Sequence, residues 1–147
     1  MALTDQEGKV GRWISILYRH AQVYIANRLK PHKIGSGQYG FLCALYKNDG
    51  VIQESLTEIL HMDKATTARA LAKLETEGYV QRIVDSKDKR ALRLYVTDQA
   101  REIMPTIENA ISDWNDLVTT GLEDAEKEIA LKLLRKMAMN TCNIKEQ

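Results

Sequence analysis

The chain has 147 residues and a formal net charge of +1, with 44% apolar and 28% charged residues. This length supports one sizeable core, and the composition is ordinary for a soluble globular protein. No apolar run approaches the ~18–20 residues that span a bilayer, and the N-terminus lacks the layout of a signal peptide. The sequence therefore predicts a folded, cytoplasmic protein rather than a membrane, exported or disordered one.

The near-neutral net charge conceals a segregation of charge along the chain. Residues 9–48 hold seven basic residues and no acidic one, and residues 80–97 hold five basic and two acidic ones. A polyanionic partner requires only a local basic patch, so the small net charge does not exclude nucleic acid binding.

The first half of the chain has the apolar spacing of α-helices. Helices are predicted over residues 5–30, 37–48, 53–60 and 64–77. Pro31 should end the first helix, since proline cannot continue the hydrogen-bond ladder, and Ser36 is a good N-cap for the second. Tyr46 and Ile59 are expected on the buried faces of their helices.

The second half begins with two short β-rich segments around a polar turn. The predicted elements are strands over 79–84 and 91–96, followed by helices over 98–120 and 123–141. Thr97 should cap the first of these helices, and Gly121 should end it. The fold class is therefore mostly α with a small β-hairpin.

A helix-turn-helix is indicated where residues 61–63 join two of the helices, and Asp63 is an N-cap residue for the second. At about 100° per residue, Thr67, Leu71 and Leu74 face the core. The opposite face is small, basic and hydroxylated, which suits a DNA major groove. With the first residue of the helix, the candidate DNA-contacting residues are Lys64, Ala65, Thr66, Arg69 and Lys73. The alternative is an ordinary amphipathic surface helix with solvated charges.

The polar turn between the strands is the tip of a possible wing. It supplies Lys87, Lys89 and Arg90, which can reach a neighbouring minor groove. Asp85 and Asp88 are expected to hold a wing arginine in one pose through a charge-assisted hydrogen bond. The alternative is a solvated turn with surface ion pairs of ~0–1 kcal/mol.

Two motifs carry a resemblance to a known family. The runs are Asp63-Lys64-Ala65-Thr66-Thr67-Ala68-Arg69, Gly78-Tyr79-Val80 with Arg82, and Asp85-x-x-Asp88-x-Arg90 with Leu94-x-Val96-Thr97. The first two resemble the recognition-helix signature of MarR-family transcriptional regulators, and the third is similar to that family's wing. The resemblance covers nearly the whole chain, 1–147. It implies a winged helix-turn-helix DNA-binding lobe over 36–97 and a helical dimerisation region over 5–30 and 98–142.

The resemblance also implies a function and residue roles. We expect a homodimeric repressor that binds a pseudo-palindromic operator and is released by a small aromatic or phenolic acid. Arg90 matches the arginine that enters the minor groove and Asp88 the acid that steadies it. Thr67 departs from the pattern, because the family usually has an apolar core residue there, so a looser turn is expected. Glu123 stands where a Ser or Thr usually caps the last helix.

The flanking helices carry more apolar residues than a small winged domain needs for its own core. These are Trp13, Tyr18, Ile107, Ile111, Trp114, Leu133, Leu134 and Met137. They suit a dimer interface, the alternative being that they close the core of one chain. An effector cleft between the first helix and the lobe would be lined by Lys9, Tyr18 and Arg19; Arg19 can instead be merely exposed or paired across subunits.

Other functional classes have little support. No nucleotide-binding or catalytic motif occurs, so we expect neither an enzyme nor a cofactor. The three histidines lack paired zinc-ligand spacing, and Cys43 and Cys142 form no motif and are expected to be reduced thiols. The remaining rival is a winged-helix protein-interaction module without specific DNA binding.

Overall fold

The computed structural model describes residues 8–142 and 144. In that part of the chain there are six α-helices and two strands: α1 Val10–Leu29, α2 Tyr39–Lys47, α3 Gln53–Ile59, α4 Lys64–Thr76, β1 Val80–Val84, β2 Leu92–Val96, α5 Asp98–Val118 and α6 Asp124–Thr141. A short 3-10 turn, Lys30–His32, follows α1. The predicted order of elements is confirmed. Among the described residues, no helix combines the length and apolar character needed to cross a membrane.

The first compact unit extends to Trp114 and contains the core. Its fully buried side chains come from the first five helices and the hairpin: Leu29, Leu42, Leu45, Leu56, Leu71, Leu74, Leu94, Ile107 and Thr67. Burying one leucine or isoleucine contributes about 1.5–3 kcal/mol, so this cluster is what holds the hairpin against the helices.

The hairpin is antiparallel, with Val80 opposite Val96 and Val84 opposite Leu92. Leu94 and Val96 turn inward to the core, as the alternation of side chains along a strand requires. The segment before α3 joins the edge of the sheet through two hydrogen bonds to Leu94. Leu94 N donates to Val51 O at 2.8 Å, and Leu94 O accepts from Gly50 N at 2.8 Å. The wing is therefore anchored to the residues that precede α3.

The apolar residues expected at a dimer interface divide into two groups. Ile107 is fully buried in the core of its own chain, and Ile111 and Trp114 pack against that core. These three side chains therefore contribute to the core of a single chain. Leu133 and Leu134 on α6 are about half exposed.

The second compact unit begins at Asn115 and includes α6. Gly121 lies between α5 and α6 with a φ of +86°, a left-handed conformation that glycine adopts without strain. Glu123 is the N-cap of α6, and its backbone N donates to Glu126 Oε2 at 2.8 Å. The departure expected at Glu123 is thus accommodated by a carboxylate one turn into the helix.

Two helices begin two or more residues later than the sequence predicts. The first helix begins at Val10 rather than residue 5; residues 5–7 lie outside the described residues. Ser36 does not cap α2: Gln38 occupies the N-cap, and its Oε1 accepts from Gly35 N at 2.8 Å. The N-cap of α2 is therefore two residues later than the predicted serine cap.

Two side chains predicted to be buried are exposed. Tyr46 keeps 40% and Ile59 44% of its accessible surface. Tyr46 directly follows buried Leu45 on α2, and Ile59 is the last residue of α3, three positions after buried Leu56. One residue turns Tyr46 about 100° from the direction of Leu45, whereas Ile59 is only about 60° from Leu56 but stands at the end of its helix, so each short helix buries only a narrow face.

Candidate nucleic-acid interface

The start of α4 is held by a well-formed N-cap, as predicted. Asp63 Oδ1 accepts from Thr66 N at 2.7 Å, and Oδ2 accepts from the Thr66 hydroxyl at 2.7 Å. These bonds hold the pKa of Asp63 below its ordinary value, and the bond from the backbone N–H of Thr66 has the larger effect. The carboxylate therefore stays ionised at neutral pH and orients the first turn of the helix, with Lys64 beside it.

The helical wheel predicted for α4 is confirmed. Thr67, Leu71 and Leu74 are buried. The candidate contact residues lie outside the core, with Thr66 half-buried and the others exposed: Lys64, Ala65, Thr66, Arg69 and Lys73. Ala65, Thr66, Arg69 and Lys73 therefore lie on the face opposite the buried residues, and Lys64 is exposed at the first position of the helix. Arg69 Nη2 lies 3.3 Å from the Thr66 hydroxyl oxygen, so the arginine leans towards the N-terminal end of α4.

Thr67 does not loosen the turn that contains it. Its side chain is completely buried, and its hydroxyl donates to Asp63 O at 2.8 Å. The same carbonyl accepts the helical bond from Thr67 N at 3.1 Å. A buried hydroxyl with a partner carries little penalty, so the expectation of a looser turn is wrong.

The turn between α3 and α4 contains a feature that sequence reasoning missed. His61 has a φ of +52°, in the left-handed region that non-glycine residues seldom adopt. His61 N donates to Glu58 O at 3.2 Å and Met62 N to Thr57 O at 3.1 Å, which closes α3 before the chain turns into α4. Histidine adopts this conformation more often than most non-glycine residues, which was the one local signal for it.

The two aspartates of the wing tip build the turn itself. Asp85 Oδ1 accepts from Lys87 N and Asp88 Oδ1 from Arg90 N, each at 3.0 Å. Each aspartate thereby fixes the backbone two residues further on, as Asx turns do. The positions of Lys87 and Arg90 at the tip follow from these two bonds.

The ionic partners of the two aspartates differ. Arg90 Nε lies 3.4 Å from Asp88 Oδ1, and the Arg90 side chain is 94% exposed. Asp85 pairs instead with Arg93 on β2, at 3.2 Å. The backbone N–H of Lys87, and then Arg93, keep the pKa of Asp85 below its ordinary value. Asp88 is therefore the carboxylate beside the tip arginine, and Asp85 braces the base of the wing.

The arginines on the strands form contacts within the protein. Arg82 Nε lies 3.2 Å from Glu75 Oε2, and Arg82 Nη1 3.4 Å from Gln53 Oε1. Arg93 Nη1 donates to Gly50 O at 2.8 Å. These two side chains tie the hairpin to α4 and to the segment before α3, so they act in wing placement.

A cavity of about 510 Å³ connects the two predicted contact regions. Its lining includes Lys64 at the start of α4, Asp88 and Arg90 at the wing tip, and Gln53 and Thr57 on α3. The N-terminus of the candidate reading helix and the tip arginine thus open onto one concave surface. Lys87 and Lys89 are exposed on the same tip.

The candidate effector residues lie at α1. Lys9 is its N-cap, and Lys9, Tyr18 and Arg19 are all exposed, Tyr18 by 63%. None of the three lines the cavity described above. Cys43 is half-buried on α2, and burial raises the pKa of its thiol. Among the described residues, no group of histidine, cysteine and acidic side chains is arranged to hold a metal ion.

Comparison with known proteins gives consistent similarities. The sequence model of the MarR family matches residues 34–92. The HTH-type transcriptional regulator YybA of Bacillus subtilis is 33% identical over 104 residues, which cover 71% of this chain and 69% of that protein.

Solved structures extend the similarity to most of the fold. A MarR transcriptional regulator from Methanosarcina mazei Go1 is 40% identical, with a TM-score of 0.85 over 92% of this chain and 98% of that one. A MarR-family regulator from Listeria monocytogenes, solved in complex with a 26mer DNA, is 25% identical, with a TM-score of 0.85 over 92% and 90% of the two chains.

Proposed function

Because the chain belongs to the MarR family of winged-helix transcriptional regulators, which are DNA-binding proteins and not enzymes, we propose a specific mode of action for it. It is a repressor whose lobe, residues 36–97, binds a pseudo-palindromic operator in double-stranded DNA. The helical region, residues 5–30 and 98–142, pairs two chains. A regulator of this kind acts in the cytoplasm, on the DNA itself.

One observation carries the DNA-binding mode. Lys64 and Arg90, from elements far apart in sequence, line one concave surface at which the α4 N-terminus is exposed. A helix N-terminus carries a partial positive charge, and lysine and arginine add full charges. In this mode Ala65, Thr66 and Arg69 face base edges in the major groove, while Lys73, Lys87 and Lys89 contact phosphates. Arg90 enters the adjacent minor groove.

The pairing of two chains is supported by apolar surface that a single chain leaves exposed. Helix α6 has no buried residue among those described, although it carries several large apolar side chains. Four of them are at least 45% exposed: Ile129, Leu131, Leu133 and Leu134. Exposed apolar side chains at this density are characteristic of an association surface. A two-fold dimer places its two α4 helices one DNA turn apart, which a palindromic operator matches.

The proposed effector is a small aromatic or phenolic acid. Tyr18 offers an aromatic face and Arg19 a guanidinium for the carboxylate, and both are exposed on neighbouring positions of α1. This assignment rests on the chemistry of those side chains and on the family. Replacing Arg19 with alanine should raise the effector concentration needed to release DNA.

The decisive experiment is a selection of bound sequences from a random double-stranded DNA pool. An enriched, pseudo-palindromic sequence is expected, bound by the protein as a dimer and released by an aromatic acid. The log of the affinity should fall steeply with log salt, by about 0.9 per phosphate contacted. Recovery of no enriched sequence, with DNA binding that salt barely changes, would favour the protein-interaction module instead.

A further inference from the structure

A second cavity, of about 460 Å³, lies between the end of α1, the loop that follows it and the second half of α4. Its lining includes Asn27, Lys30, Lys33, Gly35, Lys73 and Glu77. We call the set Lys30, Lys33 and Lys73 the lysine pocket. Three ammonium groups face one carboxylate, so the cavity carries an excess of positive charge.

The lysines of this pocket are not neutralised within the described chain. No carboxylate of a described residue forms an ion pair with Lys30, Lys33 or Lys73. By contrast, Arg82 and Arg93 are both paired with acidic side chains. With Glu77 as the one acidic residue of the described lining and no ion pair formed to it, the pocket keeps an excess of positive charge for an external anion.

The backbone brings two of the lysines together at a cost. Lys33 has a φ of +59°, in the left-handed region, and its N–H donates to Lys30 O at 3.0 Å. Glycine adopts this conformation without strain, whereas a residue with a Cβ pays about 1–2 kcal/mol for it. A strained position that nevertheless carries a long cationic side chain points to a function for that side chain.

The turn that carries these lysines is fixed to the end of α4. The Tyr79 hydroxyl donates to His32 O at 2.6 Å, and Ile34 is buried next to the turn. Lys73 reaches the same place from α4, with its Nζ 3.9 Å from the point where a Cβ on Gly35 would stand. The pocket is thus built by three segments held in place by the core.

Lys73 connects the pocket to the DNA-binding mode. It lies one turn beyond Arg69 on the same exposed face of α4. We propose that the lysine pocket binds one backbone phosphate of DNA beside the segment that α4 reads. This inference rests on the proposed function and extends the interface to Lys30 and Lys33, outside the helix-turn-helix and the wing. A phosphate contact carries no base preference, so the pocket strengthens binding to any sequence.

The test uses the full-length protein, the DNA sequence it selects and a scrambled duplex of the same length. Lys33→Gln removes the charge, and Lys33→Gly removes the charge while relieving the backbone strain, so the second variant keeps the turn intact. Lys47→Gln is the matched control, because Lys47 is an exposed lysine at the end of α2 that does not line the pocket. Affinities are measured by fluorescence anisotropy over a series of salt concentrations.

Both Lys33 variants should bind both duplexes more weakly, by a similar factor, while Lys47→Gln binds like the wild type. The slope of log affinity against log salt should become about 0.9 less steep for each pocket that contacts the DNA. Unchanged slopes in both Lys33 variants, or an equal loss in Lys47→Gln, would overturn the inference while leaving the proposed function standing. A wild-type protein that binds neither duplex would overturn both.

A second experiment, with inorganic phosphate, distinguishes a DNA phosphate from a free oxyanion as the ligand of the pocket. If phosphate, at constant ionic strength against chloride, raises the melting temperature of the wild type but not of Lys33→Gly, while DNA slopes are unchanged, the pocket holds a free oxyanion. That result overturns the assignment to DNA. A less steep slope of log DNA affinity against log salt in the Lys33 variants supports the assignment to DNA.

Discussion

Replacing Arg90 with alanine tests the wing most directly. The Arg90 side chain is 94% exposed, and its ionic partner among the described residues is Asp88, at 3.4 Å. An ion pair this open to water contributes little to folding, so the variant should melt at the temperature of the wild type. Its defect should appear only when DNA is present.

The size of that defect follows from the charges on the interface. Each chain offers six candidate cations: Lys64, Arg69, Lys73, Lys87, Lys89 and Arg90. Losing one cationic contact from each half of a dimer should make the slope of log affinity against log salt about 1.8 less steep. Between 50 and 200 mM salt, the ratio of wild-type to variant affinity should therefore shrink about 12-fold.

The assay is fluorescence anisotropy with the selected operator at four or more salt concentrations, and thermal unfolding of both proteins without DNA. Lys47→Gln again controls for the loss of one positive charge, since Lys47 lies outside the wing and α4. A variant with wild-type affinity and an unchanged slope would refute the placement of Arg90 on DNA. A melting temperature several degrees lower would refute the claim that Arg90 has no structural role.

Four other outcomes are expected. Asp88→Asn keeps an oxygen for the Arg90 backbone N–H but loses the charge beside the guanidinium, so operator binding should weaken; tighter binding would show that Asp88 merely repels DNA. Arg69→Ala should weaken operator binding more than binding to scrambled duplex, and equal losses would make Arg69 a phosphate contact. Since burial raises the pKa of Cys43 above its ordinary 9.0, the unfolded chain loses the thiol proton first, and the free energy of unfolding should fall as pH rises past 9.0 until the folded thiol also ionises. Denaturant titrations of Cys43→Ala should lack that part of the decline. Deleting residues 123–147 should yield monomers or aggregates by light scattering, and a well-behaved dimer would contradict the proposed interface.

Short-range features of the fold were predictable because they depend on neighbours in sequence. The Asp63 cap needs only an acceptor three residues before a backbone N–H, and the buried face of α4 needs only the helical period. The left-handed φ at His61 and Lys33 was not predictable, since histidine adopts it only occasionally and lysine more rarely still. Those conformations are imposed by the packing of the helices on either side.

For the charged side chains, too, local character was predictable from the sequence and long-range partners were not. Sequence alone identified the basic character of the wing and of one face of α4. It could not show that Asp85 pairs with Arg93 across the hairpin, or that Arg93 also donates to Gly50, 43 residues away. Such partners are chosen by which segments pack together, and a one-dimensional pattern does not contain that information.

By itself, then, the amino-acid sequence determined the order of helices and strands, the face that α4 buries and the chemistry of the face it exposes. These follow from periodicity, capping and side-chain type, which act over a few residues. Only the tertiary structure decided that Lys64 and Arg90 share one concave surface and that Lys30, Lys33 and Lys73 converge on another. Both convergences depend on the common core, which brings together segments that lie dozens of residues apart.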